Sequence, residues 1–272
     1  VRVDQRASGD ELATLAAMIL HPTADGCVAI AQSAHAFLAF QIAEHWGNRL
    51  TPRPSPRAET LAAVLLHDAG WDGREEPRLD PDGRPVAFDT LPEEEHETVW
   101  ASAVERAGVR GRYVAYLVSH HVSSLAESGP HHRHPEFVAA QQALRARLRD
   151  ELATDRRYRA AFGSDADAVN RAVVRLADAL AVHLARGTQG TTVLAELPRR
   201  DGVAPLSLTP VAERTYRLRP WPLVGRRLDV TTEGRLLPAT RFPDEAALRA
   251  AWAAAPTVRL AWTLLPPAEV GR

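Results

Sequence analysis

Several residues in the first half of the chain pair metal-binding side chains with positions that a helix would bury. His35 shares a helical face with Val28, Ala31, Leu38 and Ile42. His96 falls in phase with Val99, Trp100 and Ala103, and His121 with Val114, Leu117 and Leu125. His67 and Asp68 stand together where a helical stretch meets a proline-rich one. Taken singly, each histidine reads first as a hydrogen-bonded core residue. Burying several imidazoles with a carboxylate is costly, however, unless they neutralise or coordinate something. Imidazole and carboxylate donors on facing helices are a recurrent way to hold one or two transition metals, and Asp68 offers oxygens able to bridge two ions.

Other polar residues read more blandly. His120 aligns with Tyr113, Tyr116 and Ser124 on a wetter face. The His-His-Arg-His run at 131–134 sits in a Gly-Pro break and reads as a solvated loop, with His21, His45 and His183 incidental. Trp71 and Asp72 follow the His67-Asp68 pair and either line a site or pack. Arg74, Arg78 and Arg84 fall in a predicted loop, where a guanidinium can grip an anionic substrate.

The elements that must position these residues are mostly helical. Apolar periodicity predicts helices over Cys27–Trp46, Arg57–Asp68, Glu93–Ala107, Arg110–Glu127, Glu136–Leu152 and Asp165–Arg186. Pro52, Pro54 and Pro56 break the first from the second, and Gly70 is read as a C-cap. Residues 71–92, with four prolines, form a long irregular loop of the kind that often carries function. Beyond Gly187 the pattern changes. Thr215–Leu218, Arg227–Val230, Leu236–Leu237 and Val258–Leu264 read as strands, Glu233-Gly234 as a hairpin turn and Ala246–Ala255 as a short helix. The expectation is a mainly α chain: a helical domain over 1–190, then a small antiparallel α+β appendage over 191–272, suited to packing or dimerisation.

Composition narrows the chemistry. All 33 basic residues are arginine, so Schiff-base and lysine-base mechanisms are excluded. A net charge of −1 gives no electrostatic case for nucleic acid or an anionic membrane. A single cysteine, Cys27, excludes an intrachain disulfide and a cysteine-rich metal site. With no span of about 20 apolar residues and no leader pattern, the expectation is a cytoplasmic protein.

The ordered residues also resemble a family. His35, then HDAGW at 67–71, HETVWASAVERAG from 96, VAYLVSHHVSSL at 114–125 and RLADAL at 175–180 resemble the motifs of the HD-domain superfamily of metal-dependent phosphohydrolases. The longer string, including QSAHAFLAFQIAEHWG and the stretch around RPWPL, looks like an HD-like bacterial family of unknown function. The resemblance implies an HD-like helical bundle whose first metal takes His35, His67, Asp68 and Asp178. Asp68 would bridge to a second ion on His96 and His121. Periodicity alone leaves Asp178 opposite the Val169, Val173, Leu176 and Leu180 stripe, as an exposed aspartate.

The leading reading is a hydrolase of a phosphate ester or similar small anionic molecule. It would use one or two divalent ions, iron or manganese, with Asp68, Arg78 and Arg84 in catalysis. The resemblance also admits a diiron oxygenase, although such enzymes place a lysine where this chain has Ser123 or Ser124. A non-catalytic, metal-stabilised sensor or scaffold is the third reading.

Overall fold

The computed structural model describes residues 18–73, 76–128 and 134–268. Its first departure from the sequence reading comes at Cys27–Ala31, which form a strand, β2, and not the opening of a helix. This strand pairs antiparallel with β1, Met18–Pro22, in a register running from Met18↔Ala31 to Pro22↔Cys27. Helix α1 begins only at Gln32 and runs to Glu44. A short run of apolar residues satisfies both periods, and Cys27 to Ile30 are all buried, as in a strand covered on both faces.

Strands β3 (Thr192–Arg199), β4 (Gly202–Ala212), β5 (Thr215–Arg219), β6 (Leu228–Leu237) and β7 (Thr257–Leu265) complete one seven-stranded sheet in the order β1-β2-β6-β7-β5-β4-β3. The sheet is curled and mixed: β5 and β7 run parallel, and the other neighbours antiparallel. The expected mainly α, HD-like bundle with a small appendage is therefore overturned. Residues 18–31 lie in the same sheet as 192–265, so strands are not confined to the end of the chain.

The remaining helices are α2 (Arg57–Leu66), α3 (Glu93–Arg110), α4 (Arg112–Ser128), α5 (Pro135–Ala153), α6 (Arg156–Arg159), α7 (Ser164–Arg186) and α8 (Glu245–Ala254). Of these, α2, α4 and α7 pack on one another. Helix α1 lies on α2, α7 and β6, while α7 also touches β1 and β3. Their shared core includes Ile30, Leu38, Ile42, Val64, Leu117, Leu180 and Trp262. No described helix is long and apolar enough to cross a membrane.

Two glycines read as turn or cap signals serve close backbone approach instead. Gly234, expected in a hairpin turn, lies within β6 opposite Val258. A Cβ there would stand 2.6 Å from Val28 Cγ1 and 2.7 Å from Ala29 O, so β2 and β6 meet this closely only over a bare backbone. Gly234→Ala is expected to lower the denaturant midpoint by the equivalent of about 1–3 kcal/mol. An unchanged midpoint would mean that the two strands separate freely. Gly70 is likewise no cap: α2 ends at Leu66, and a Cβ on Gly70 would lie 1.9 Å from Val99 O of α3. That contact seats the turn after Asp68 on the helix that carries His96.

Candidate metal centre

Four helices or helix ends bring the donor side chains together. His35 stands in the first turn of α1, His67 caps the C-terminus of α2, His121 sits within α4 and Asp178 within α7. Asp68 follows His67 and opens a short 3-10 turn, Ala69–Trp71. Asp178 Oδ1 lies 2.9 Å from His35 Nε2 and 3.3 Å from His67 Nε2, while its Oδ2 lies 3.5 Å from His121 Nε2. Asp68 Oδ2 is 3.2 Å from His67 Nε2 and 3.7 Å from His35 Nε2. One donor atom each from His35, His67 and Asp178 lies within 4.8 Å of the others, the spacing of a ligand set around one ion.

Protonation is constrained by a backbone contact. His67 Nδ1 lies 2.7 Å from the carbonyl oxygen of Val64, which can only accept, so Nδ1 carries the hydrogen. In the neutral ring Nε2 is then a lone pair, and it faces two carboxylate oxygens that are also electron-rich. It is buried and makes no hydrogen bond among the described residues, as are both nitrogens of His121 and Nδ1 of His35. Burial by itself would lower the His67 pKa, but Asp68 and Asp178 outweigh it and hold the ring well above its ordinary 6.5. Burial would raise the two carboxyls, yet His67, together with His35, draws Asp68 below its ordinary value and Asp178 well below it. His121 is pushed down to about 4, by burial that the pull of Asp178 only partly offsets, and is neutral at physiological pH. The cluster thus calls for a cation at His67 Nε2: a proton, or a metal ion in its place. The residues fit a divalent transition metal, with imidazole and carboxylate donors and no thiolate.

His35, Asp68, His121 and Asp178 open onto a cavity of about 700 Å³. His96 lines the same cavity, its ring 6.2 Å from that of Trp71 and 5.3 Å from that of Trp100. The structure therefore gathers His35, His67, Asp68, His121 and Asp178 at one point and sets His96 in the wall of the hollow they face. Both ends of the 71–92 loop reach it, through Trp71 and through Phe88 to Pro92. Arg78 and Arg84 do not. Arg78 pairs with Glu95 at 3.1 Å, and Arg84 with Asp82 at 3.6 Å, beside a different hollow near Cys27. Arg74 lies outside the described residues.

Two lining histidines escaped the sequence reading. His134 hydrogen-bonds Glu97 through Nδ1 and lies edge-on to Trp100. Its Gly-Pro surroundings suggested only solvent, and residues 131–133 lie outside the described residues. His183 is joined to Thr188 Oγ1 at 2.9 Å. Its signal lay in helix phase: Asp178, Ala179, Val182 and His183 share one face of α7, and all line the cavity. His120 turns away from the cluster, its ring 4.7 Å from that of Tyr116.

Comparison with known proteins replaces the family resemblance. No curated protein and no solved structure matches the chain. The family model that does match, over residues 18–239, is that of "Protein of unknown function (DUF3891)", not an HD-domain one. The seven-stranded sheet stands in place of an HD helical bundle, so the HD-domain resemblance does not hold. The matched stretch spans both halves of the sheet and every donor residue, so the chain belongs to the DUF3891 family.

Proposed function

We propose that this protein is a metal-dependent hydrolase of a small ester with an apolar or aromatic body. The supporting observation is His67 Nε2: with Nδ1–H held by the Val64 carbonyl, it is the ring atom left to take a cation, and it is buried against two carboxylates. His35, His67, Asp68, His121 and Asp178 would hold manganese or iron, and His96, in the cavity wall, would help hold a second ion. Such an ion supplies a nucleophile by lowering the pKa of bound water and polarises the bond to be cleaved.

The chain's own residues supply the rest. Asp68, 16% exposed toward the cavity, accepts the proton of the attacking water. Glu97 accepts from His134 Nδ1–H, so the ring can take a proton from solvent at Nε2 and hand it to the leaving group. Trp71, Phe88, Leu91, Trp100, Leu125 and Val182 enclose the substrate body and exclude water. No described arginine lines the cavity, which favours an uncharged or singly charged substrate over a multiply charged phosphate.

The test is hydrolysis by chelator-stripped protein reloaded with manganese or iron, using aryl carboxylate and aryl phosphate esters. Metal-dependent turnover is expected, with carboxylate esters preferred. Failure to retain a metal ion at all would overturn the proposal. The same apolar wall also suits an iron-dependent oxidation, which dioxygen consumption by the iron-loaded protein would identify.

His134 carries a separate prediction. His134→Gln is expected to cut turnover by about 10²–10⁴-fold without changing metal content. Equal turnover in variant and parent would remove His134 from the mechanism.

A further inference from the structure

On the other side of His121 lies a second hollow of about 370 Å³, between α4, α5, α7 and β3. We propose that this cleft binds a phosphate-type oxyanion through Arg145, Arg171 and Arg175. The three guanidinium groups come from two helices, and α4 adds the hydroxyls of Ser123 and Ser124.

Their charges are poorly answered. Arg145 Nη1 donates to Ser119 O at 2.9 Å, to Ser119 Oγ at 3.1 Å and to Ser123 Oγ at 2.6 Å, and Arg145 forms no ion pair among the described residues. Among the described residues, the one hydrogen bond of Arg175 is a long one, 3.4 Å, to the backbone oxygen of Glu196. Among the described residues only Arg171 of the three has a carboxylate, Asp167 at 3.0 Å, and that aspartate also accepts from the Tyr116 hydroxyl. Glu127 and Glu196, the acidic residues lining the cleft, are both exposed.

The electrostatic record agrees with the geometry. Burial lowers the pKa of Arg145 and of Arg175, offset only in part by Tyr116 and Glu127 at the first and by Glu196 at the second, and Arg171 adds to the lowering. His120 also stands in the wall of the cleft. An oxyanion relieves the repulsion among the three arginines, and its oxygens match the planar fork of a guanidinium. The hollow is larger than a bare phosphate needs, with room for a small organic group bearing it. His121 lines both this cleft and the metal cavity, so an anion here would sit directly behind a metal donor.

The experiment is calorimetric titration of the chelator-treated protein with inorganic phosphate and with glycerol phosphate, at constant ionic strength. Removing metal first keeps phosphate from reporting on the metal centre. Saturable binding is expected, weakened about tenfold in Arg175→Gln and in Arg171→Gln and unaltered in Asp178→Asn. Tighter binding of glycerol phosphate would support a phosphoryl group on a larger molecule, and tighter binding of phosphate the free ion. Absence of binding at millimolar phosphate, or equal affinity in both arginine variants and the parent, would overturn the proposal. Both arginines lie on the surface of α7, so these variants are expected to fold, and a matched thermal midpoint verifies it.

Discussion

Asp178→Asn is expected to weaken manganese or iron binding by at least about a hundredfold while leaving the chain folded. Asp178 touches His35, His67 and His121 with its two oxygens, and no other described carboxylate is in contact with all three. An amide keeps the volume and one weak oxygen donor but loses the charge that balances a divalent ion. The metal-free variant still folds because Asp68 remains 3.2 Å from His67 Nε2 and partners its proton. Equilibrium dialysis followed by elemental analysis measures the effect. Undiminished metal content in the variant would show that the ion, if any, binds elsewhere.

A second large effect should appear in the pH dependence of stability. His67 is held well above 6.5, so its contribution to the metal-free fold is complete below pH 6.5 and is lost as pH rises through its folded value. Asp68 and Asp178 are held below 3.8, so theirs is complete above pH 3.8 and is lost as pH falls through their folded values. The metal-free protein should therefore be most stable between these limits and should soften on the alkaline side. Metal binding displaces the His67 proton, so below the folded pKa of His67 apparent affinity climbs by about tenfold per pH unit. His121 is already neutral and adds nothing to this slope. The increase in thermal midpoint on adding manganese should be much greater at pH 8 than at pH 6. Equal increments at both pH values would mean that His67 is not a ligand.

Helices α2 to α5, α7 and α8 were legible to within a few residues because proline and glycine break the chain where a 3.6-residue pattern stops, while the four-residue α6 was not read at all. The phases of His35 and His121 were legible for the same reason, since each shares a face with core residues. Asp178 was not. Helix α7 is packed on several sides, against α1, α2 and α4 and against β1 and β3. A single apolar stripe therefore does not mark its only buried face, and Asp178 points into the cavity from beside another. The sheet was the larger loss. Strands β3 and β4 contain Pro198, Pro205 and Pro210, which disguise them as loop. The prolines are tolerated because β3 is an edge, with register shifts between Val193 and Glu196 and between Pro210 and Ala212. Gly234 split β6 in the sequence reading because close backbone approach and a turn ask for the same residue. The bulk that separates an HD-like bundle from this fold thus lay in elements whose local signals pointed the wrong way.

The pairing of β2 with β6, Cys27 against Leu237, has a consequence for synthesis. A ribosome adding about 5–20 residues per second releases β1 and β2 roughly 10–40 s before their partner strand exists. Through that interval an apolar hairpin has an open edge, and α1, which continues β2 without a loop, has no seat for His35. Although every proposed donor precedes residue 190, a nascent chain halted there would lack β6 and β7. Metal capture should accordingly await the emergence of β6 and β7, on which α1 and β2 depend.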